Sequence, residues 1–210
     1  MLWEVIMKQK LTPKWFIIKL TGILFAVYSV YNIFIIFKDR SSLPREGIII
    51  SAIIAVLFAL LAGFALTSEV RDLRFLTIRI TVFPVALLAV FLLKLRMVIR
   101  NIEFIDFTKP YTVLNGGAYF ATLTALIILF IYYAFILRRI NIYPKASVIL
   151  LLTAMLLFVA GFVMEIILFF GFKIGIEANL LRTVVIRPVF YLSFIGLSAY
   201  FLFPAQPPKQ

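Results

Sequence analysis

An all-α, polytopic membrane fold follows from three properties of this chain: its apolar content, the length of its uninterrupted apolar runs, and the lack of period-two alternation inside them. Hydrophobic residues make up 64% of the 210 and charged residues 14%, with a mean hydropathy of +1.13, which is not the composition of a water-soluble globular domain. A bilayer core about 30 Å thick is crossed by roughly 20 apolar residues in helical form. Six runs of that length occur, at 15–37, 47–67, 75–93, 118–137, 146–172 and 183–203. A membrane β-barrel would alternate apolar and polar residues, and stretches such as IIISAIIAVLFALLAGFAL at 48–66 do not.

Residues 1–14 mix Leu2, Trp3, Val5, Ile6 and Met7 with lysines, the pattern of an interfacial segment, before Thr12 and Pro13 supply an N-cap and first helical position. Trp3 and Trp15, the only tryptophans, are placed to anchor at head-group level. Lys8, Lys10 and Lys14 resemble a signal-peptide n-region, but the apolar run is long and no small-x-small site closes it, so an uncleaved anchor is expected.

The first run ends in KDRSSLPRE and the fourth in RRINIYPK, each a polar turn with a proline, Pro44 or Pro144, opening the next helix. Helix two carries Ser51, Ala55, Ala59 and Gly63 at four-residue spacing, a stripe of small side chains expected to pack against another helix. Pro84 is a candidate kink in helix three, and Pro188 fits an early turn of helix six. The connection 99–116 holds Glu103 and Asp106, expected in a solvated loop, and closes on a turn at Asn115-Gly116-Gly117. The tail, 205–210, is proline-rich and expected to be disordered.

Residues 69–79 read EVRDLRFLTIR and residues 177–187 read EANLLRTVVIR. Glutamate is scarce here, so a Glu with Arg at both +5 and +10, occurring twice, points to duplication, with 15–98 and 117–204 as two three-helix copies. An odd number of helices per copy orients the copies oppositely, an inverted-topology repeat. The lysine-rich start and the Arg138-Arg139-Lys145 turn then share a side, which places both termini in the cytoplasm of a prokaryotic cell, beneath its inner membrane.

The net charge of +12 is scattered among short loops rather than gathered on one soluble face, which points away from nucleic acid and towards anionic lipid head groups. Cysteine and histidine are both absent. Disulfides, thiolate nucleophiles, the usual zinc sites, haem ligation by His and His-based general bases are therefore excluded. No Walker A loop, GxSxG elbow, HExxH or dinucleotide fingerprint occurs, and no cofactor or metal is expected.

Arg71 and Arg74 in the first motif, and Arg182 in the second, lie where head groups or another anion would meet them. Arg79 and Arg187 sit one or two turns deeper, within snorkelling range or beside a ligand. Glu165 stands inside helix five, in AGFVMEIILFFGF, where an ionised carboxylate requires a partner or water. Helical rise brings Arg187 to a similar depth, so a Glu165–Arg187 pair between helices five and six is expected, as a structural staple or as a coupled switch; a lipid-facing protonated Glu165 is the alternative. Three functional readings follow. The first is a non-enzymatic transport-type protein in which Arg79, Glu165 and Arg187 contact a small anionic or protonatable solute. The second is a scaffold or accessory subunit, docking a partner membrane subunit or a second copy of itself. The third is a lipid-acting membrane enzyme.

Overall fold

A computed structural model of the chain describes residues 13–38, 45–67, 73–102, 108–136, 144–172 and 185–202, with the side chains of 73–81, 101, 136 and 144 outside that description. The described residues form six α-helices: α1 Pro13–Lys38, α2 Arg45–Leu66, α3 Leu73–Asn101, α4 Pro110–Ile131, α5 Pro144–Phe172 and α6 Arg187–Leu202. Among the described residues there is no strand. Proline opens α1, α4 and α5 and is the second residue of α6; its fixed φ suits a first turn and its missing N–H costs nothing there.

Five of the helices are long and apolar enough to cross a membrane, the mark of an integral membrane protein. The sixth, α6, has 16 residues and rises about 24 Å, less than the run at 183–203 implied.

Two further boundaries depart from the sequence expectation. Helix α3 continues past residue 93 to Asn101. Helix α4 begins at Pro110, so the turn expected at Asn115-Gly116-Gly117 is a stretch of helix instead, and the loop expected at 99–116 is correspondingly short. Local turn preference lost to packing: Gly116 is buried, and a Cβ on Gly117 would sit 3.0 Å from the sulfur of Met164 on α5. Bare backbone is what lets the two helices meet.

The helices form a ring in chain order, each touching the next, with α6 returning to α1. The thinnest of these contacts is between α2 and α3. Aromatic side chains fill the centre: Phe25 of α1 meets Phe58 of α2 at 5.7 Å and Phe194 of α6 at 5.2 Å, and Phe194 stacks on Phe158 of α5 at 5.1 Å. Close helix contacts again depend on glycine. A Cβ on Gly22 would strike Leu66, one on Gly161 would strike Tyr191, and one on Gly196 would strike the Thr21 hydroxyl.

Several hydroxyls in the ring bond within their own helix, as a hydrocarbon solvent favours. Thr21, Thr153, Ser193 and Ser198 donate to carbonyls four residues back. The Ser29 hydroxyl crosses to the Ala55 carbonyl of α2 at 2.7 Å, and the Lys19 ammonium donates to the Leu66 carbonyl, one of the acceptors left open at the end of α2. Helix α4 runs on into a π-helical turn, Tyr132–Ile136, where the Tyr132 N–H is shared between the carbonyls of Ile128 and Leu129.

Candidate functional site

The glutamate inside α5 and the arginine opening α6 meet as depth alone predicts. Arg187 Nη1 donates to Glu165 Oε2 at 2.5 Å, with the carboxylate side chain 13% exposed and the guanidinium 39%. Glu165 therefore faces the ring, not lipid, and the pair closes one wall of a cavity.

That cavity has a volume of about 360 Å³ and takes lining residues from all six helices, within the range of about 300–1,000 Å³ usual for small-molecule sites. It lies at the end of the ring where α1, α3 and α5 finish and α2, α4 and α6 begin. Gly47, Ile35 and Met97 stand towards that end, while Phe58, Val90 and Phe190 are deeper along their helices. Helix periodicity explains the α6 contribution: Arg187, Phe190 and Tyr191, at i, i+3 and i+4, share one face and all line the cavity.

Lys94 of α3 is the third ionised group on the wall. Its ammonium sits 4.3 Å from the centroid of the Phe190 ring, a cation–π contact that grows stronger as water is excluded. The same ring packs against Tyr28 at 5.6 Å and Phe58 at 5.9 Å, and Tyr28 lies 4.3 Å from Phe58. Three aromatic rings, two cations and one carboxylate thus line the same cavity.

Neutral polar groups complete the wall. Asn32 is buried and its amide nitrogen donates to the Tyr28 carbonyl at 2.7 Å. The Thr122 hydroxyl donates to the Ala118 carbonyl at 2.7 Å, and since a hydroxyl has one proton, the Tyr191 hydroxyl must be the donor in their 3.2 Å bond. Tyr31, Ser51 and Tyr119 also line the space.

Further charges stand at the cavity's edge. Glu46, at the first turn of α2, accepts from Arg96 at 3.0 Å and from Arg100 at 3.1 Å, both on α3. Its neighbour Gly47 and the neighbour of Arg96, Met97, line the cavity, so this bridge joins α2 to α3 at the cavity's edge.

Of the residues singled out from sequence, the structure brings Glu165, Arg187 and Ser51 into one cavity. Arg74 and Arg79 lie in α3 with side chains outside the described residues, and Arg71 and Arg182 lie outside them altogether. Glu103, Asp106, residues 1–12 and the tail are outside them as well. The small-residue stripe of α2 is not one buried face. Ala55 is buried against α1 and Ser51 lines the cavity, whereas Ala59 and Gly63 are exposed, with open space where a Gly63 Cβ would stand. Four-residue steps on a 3.6-residue helix rotate by about 40° each, so the stripe winds from the ring interior to its outside.

Lys94, Asn32, Thr122 and Tyr191 were missed. Lys94 carries a readable signal, a cation directly after the apolar stretch VALLAVFLL, but the apolar run itself ends at residue 93. The other three are unremarkable polar residues until α1, α4 and α6 are packed together. Among the described residues, no group of three acidic side chains is arranged to hold a metal ion. No family model matches the chain, nor does any curated protein or solved structure.

Proposed function

We propose that this is a non-enzymatic transport-type membrane protein whose six-helix cavity binds a small anionic or protonatable solute. One observation carries the reading: a single cavity, bounded by every helix of the ring, holds Glu165, Arg187 and Lys94 on its wall. Ionised side chains within apolar helices are costly unless they face one another or a polar path, and a staple needs no adjoining space. In this reading Glu165 holds Arg187 while the site is empty and releases part of it to the solute.

The ring order is compatible with two inverted three-helix copies, because exchanging α1–α3 with α4–α6 maps each neighbouring pair onto another neighbouring pair. Such an arrangement lets one half rock against the other around a shared site. Its place is a prokaryotic cytoplasmic membrane with both termini inside, the cavity mouth then opening away from the cytoplasm. The basic side chains near both surfaces meet anionic head groups.

The test is tracer uptake by protein reconstituted in phosphatidylcholine liposomes, offered a panel of small organic carboxylates and phosphate esters. Uptake above protein-free liposomes for at least one solute, abolished by Arg187→Ala, is expected. No uptake across the panel, or uptake indifferent to Arg187, removes the transport reading.

A scaffold reading has its own support in the outward-facing Ala59 and Gly63 of α2, where a partner helix can approach the backbone closely. If that is their role, a membrane polypeptide co-purifies with the native chain and is lost on Gly63→Leu.

A further inference from the structure

We propose that the end of the ring opposite the cavity encloses a hydration site, where ordered water is held by the hydroxyls of Tyr132 and Tyr133 on the π-helical turn and is shared with Ser147 of α5. None of the three lines the cavity, so the site stands independently of the transport reading.

The two phenols are the observation that asks for it. Tyr132 is 0% exposed and Tyr133 3%, and among the described residues neither phenolic oxygen has a hydrogen-bond partner. A buried hydroxyl left unpaired carries the full cost of its lost hydration, and such groups are few in a folded chain. Packing does not require them. The Tyr133 ring lies 6.1 Å from Phe64, 4.2 Å from Phe83 and 5.1 Å from Phe201, and the Tyr132 ring 5.9 Å from Phe201; a phenylalanine would make every one of these ring contacts. The hydroxyls therefore call for a small molecule that both donates and accepts, and water is that molecule.

A further partner stands close by. Ser147, 3% exposed, comes near the Tyr132 hydroxyl without completing a hydrogen bond to it, the relation of two groups that one water bridges. Ser147 also lies in the first turn of α5, where backbone N–H groups have no acceptor within their own helix. A buried water takes about two to four polar partners, and the Tyr132 and Ser147 hydroxyls with those donors supply that number. The Tyr132 and Tyr133 rings are 5.5 Å apart, which places both phenols in one small region. The turn that carries them is π-helical, a local widening of the helix that recurs at functional sites.

Hydration at this end has a consequence for the whole ring. Phe194, 5.2 Å from Phe25 and 5.1 Å from Phe158, forms with them a layer between the cavity and this site. That layer is then the dry barrier between two hydrated ends.

The test is X-ray radiolytic labelling of the full chain in phosphatidylcholine nanodiscs, with mass spectrometry of the oxidised residues. Hydroxyl radicals formed from a bound water modify the side chain beside it even where bulk solvent is excluded. Tyr132 and Tyr133 are expected to be oxidised several-fold faster than Phe25 and Phe194, which are comparably buried. Rates as low as those of the two phenylalanines overturn the proposal, and they are read on the native chain whether or not any variant folds. Ser147→Ala is expected to slow the labelling of Tyr132 several-fold, and an unchanged rate overturns the shared water. Tyr132→Phe adds a thermodynamic arm: deleting a hydroxyl that lacks any partner leaves stability unchanged or raises it, whereas deleting one held by water lowers it. A fall of about 2–4 °C in the thermal midpoint is expected, and no fall, or a rise, overturns the proposal. Failure of liposome uptake leaves this site untouched, and dry tyrosines leave the transport reading untouched.

Discussion

Glu165 and Arg187 are unequally protected, and this sets what each substitution does. Arg187→Gln strands a carboxylate that is 13% exposed, whereas Glu165→Gln strands a guanidinium that is 39% exposed and can still reach water. The first is expected to destabilise the fold by about 2–4 kcal/mol and the second by about 1–2 kcal/mol, because stranding a charge costs most where solvent is furthest away. The double variant recovers part of the loss, with a coupling energy of about 1–3 kcal/mol. Unfolding in mixed detergent measures all three, and additivity of the single losses would show that the two groups do not interact. A pair of glycines gives an independent residue-scale contrast. Gly161→Ala drives a methyl to within 2.9 Å of the Tyr191 ring and 3.4 Å of the Thr122 hydroxyl, a small-to-large change expected to cost about 1–3 kcal/mol. Gly63→Ala meets open space and gains up to about 1 kcal/mol of helix propensity. Equal thermal shifts for the two variants would contradict the packing described for α4, α5 and α6.

Among the elements, the α2–α3 contact is the thinnest in the ring, and it is the one bridged at its end by Glu46 with Arg96 and Arg100. The Glu46 side chain is 66% exposed, so the bridge contributes under about 1 kcal/mol to stability and is weakened by salt. Its consequence is for opening. Glu46→Gln is expected to leave the unfolding midpoint almost unchanged while raising several-fold the rate at which a maleimide labels a cysteine placed at Met97 on the cavity wall, and high salt is expected to do the same to the chain that retains Glu46. Labelling rates that ignore both changes would mean that the helices part elsewhere, or not at all. The element boundaries show where local signals fail. Asn115-Gly116-Gly117 has the composition of a turn, yet Pro110 starts a helix that runs through it, because the bare glycines let α4 approach α5 at Met164. Helix α3 likewise absorbs three basic residues, Lys94, Arg96 and Arg100, that read locally as the start of a loop; turned onto the ring and the Glu46 bridge, they find partners that no local window contains.

For the molecule as a whole, the path between Arg45 and Lys145 runs through α2, α3 and α4. Each of these is long and apolar enough to cross a membrane, and three crossings would put the two residues on opposite sides. Single cysteines at these positions, in a chain with no native cysteine, are expected to react with an impermeant maleimide from opposite faces of intact cells or oriented vesicles. Labelling of both from one face would remove the inverted arrangement and, with it, the rocking motion proposed around the cavity.

The sequence by itself determined the solvent and the secondary structure: runs of about 20 apolar residues leave the backbone no partner but itself, so helices spanning lipid are the outcome whatever their neighbours. It also determined that Glu165 needs a cation and that Arg187 lies at a matching depth, since rise per residue is a property of the single helix. Tertiary structure alone decided that Lys94 faces the same space, that Phe190, Phe58 and Tyr28 line it, and that the small residues of α2 wind outward at Ala59 and Gly63. Those facts depend on the rotation of each helix about its axis, which in so uniformly apolar a chain is set by where glycines and rings interlock rather than by any hydrophobic face legible in one helix.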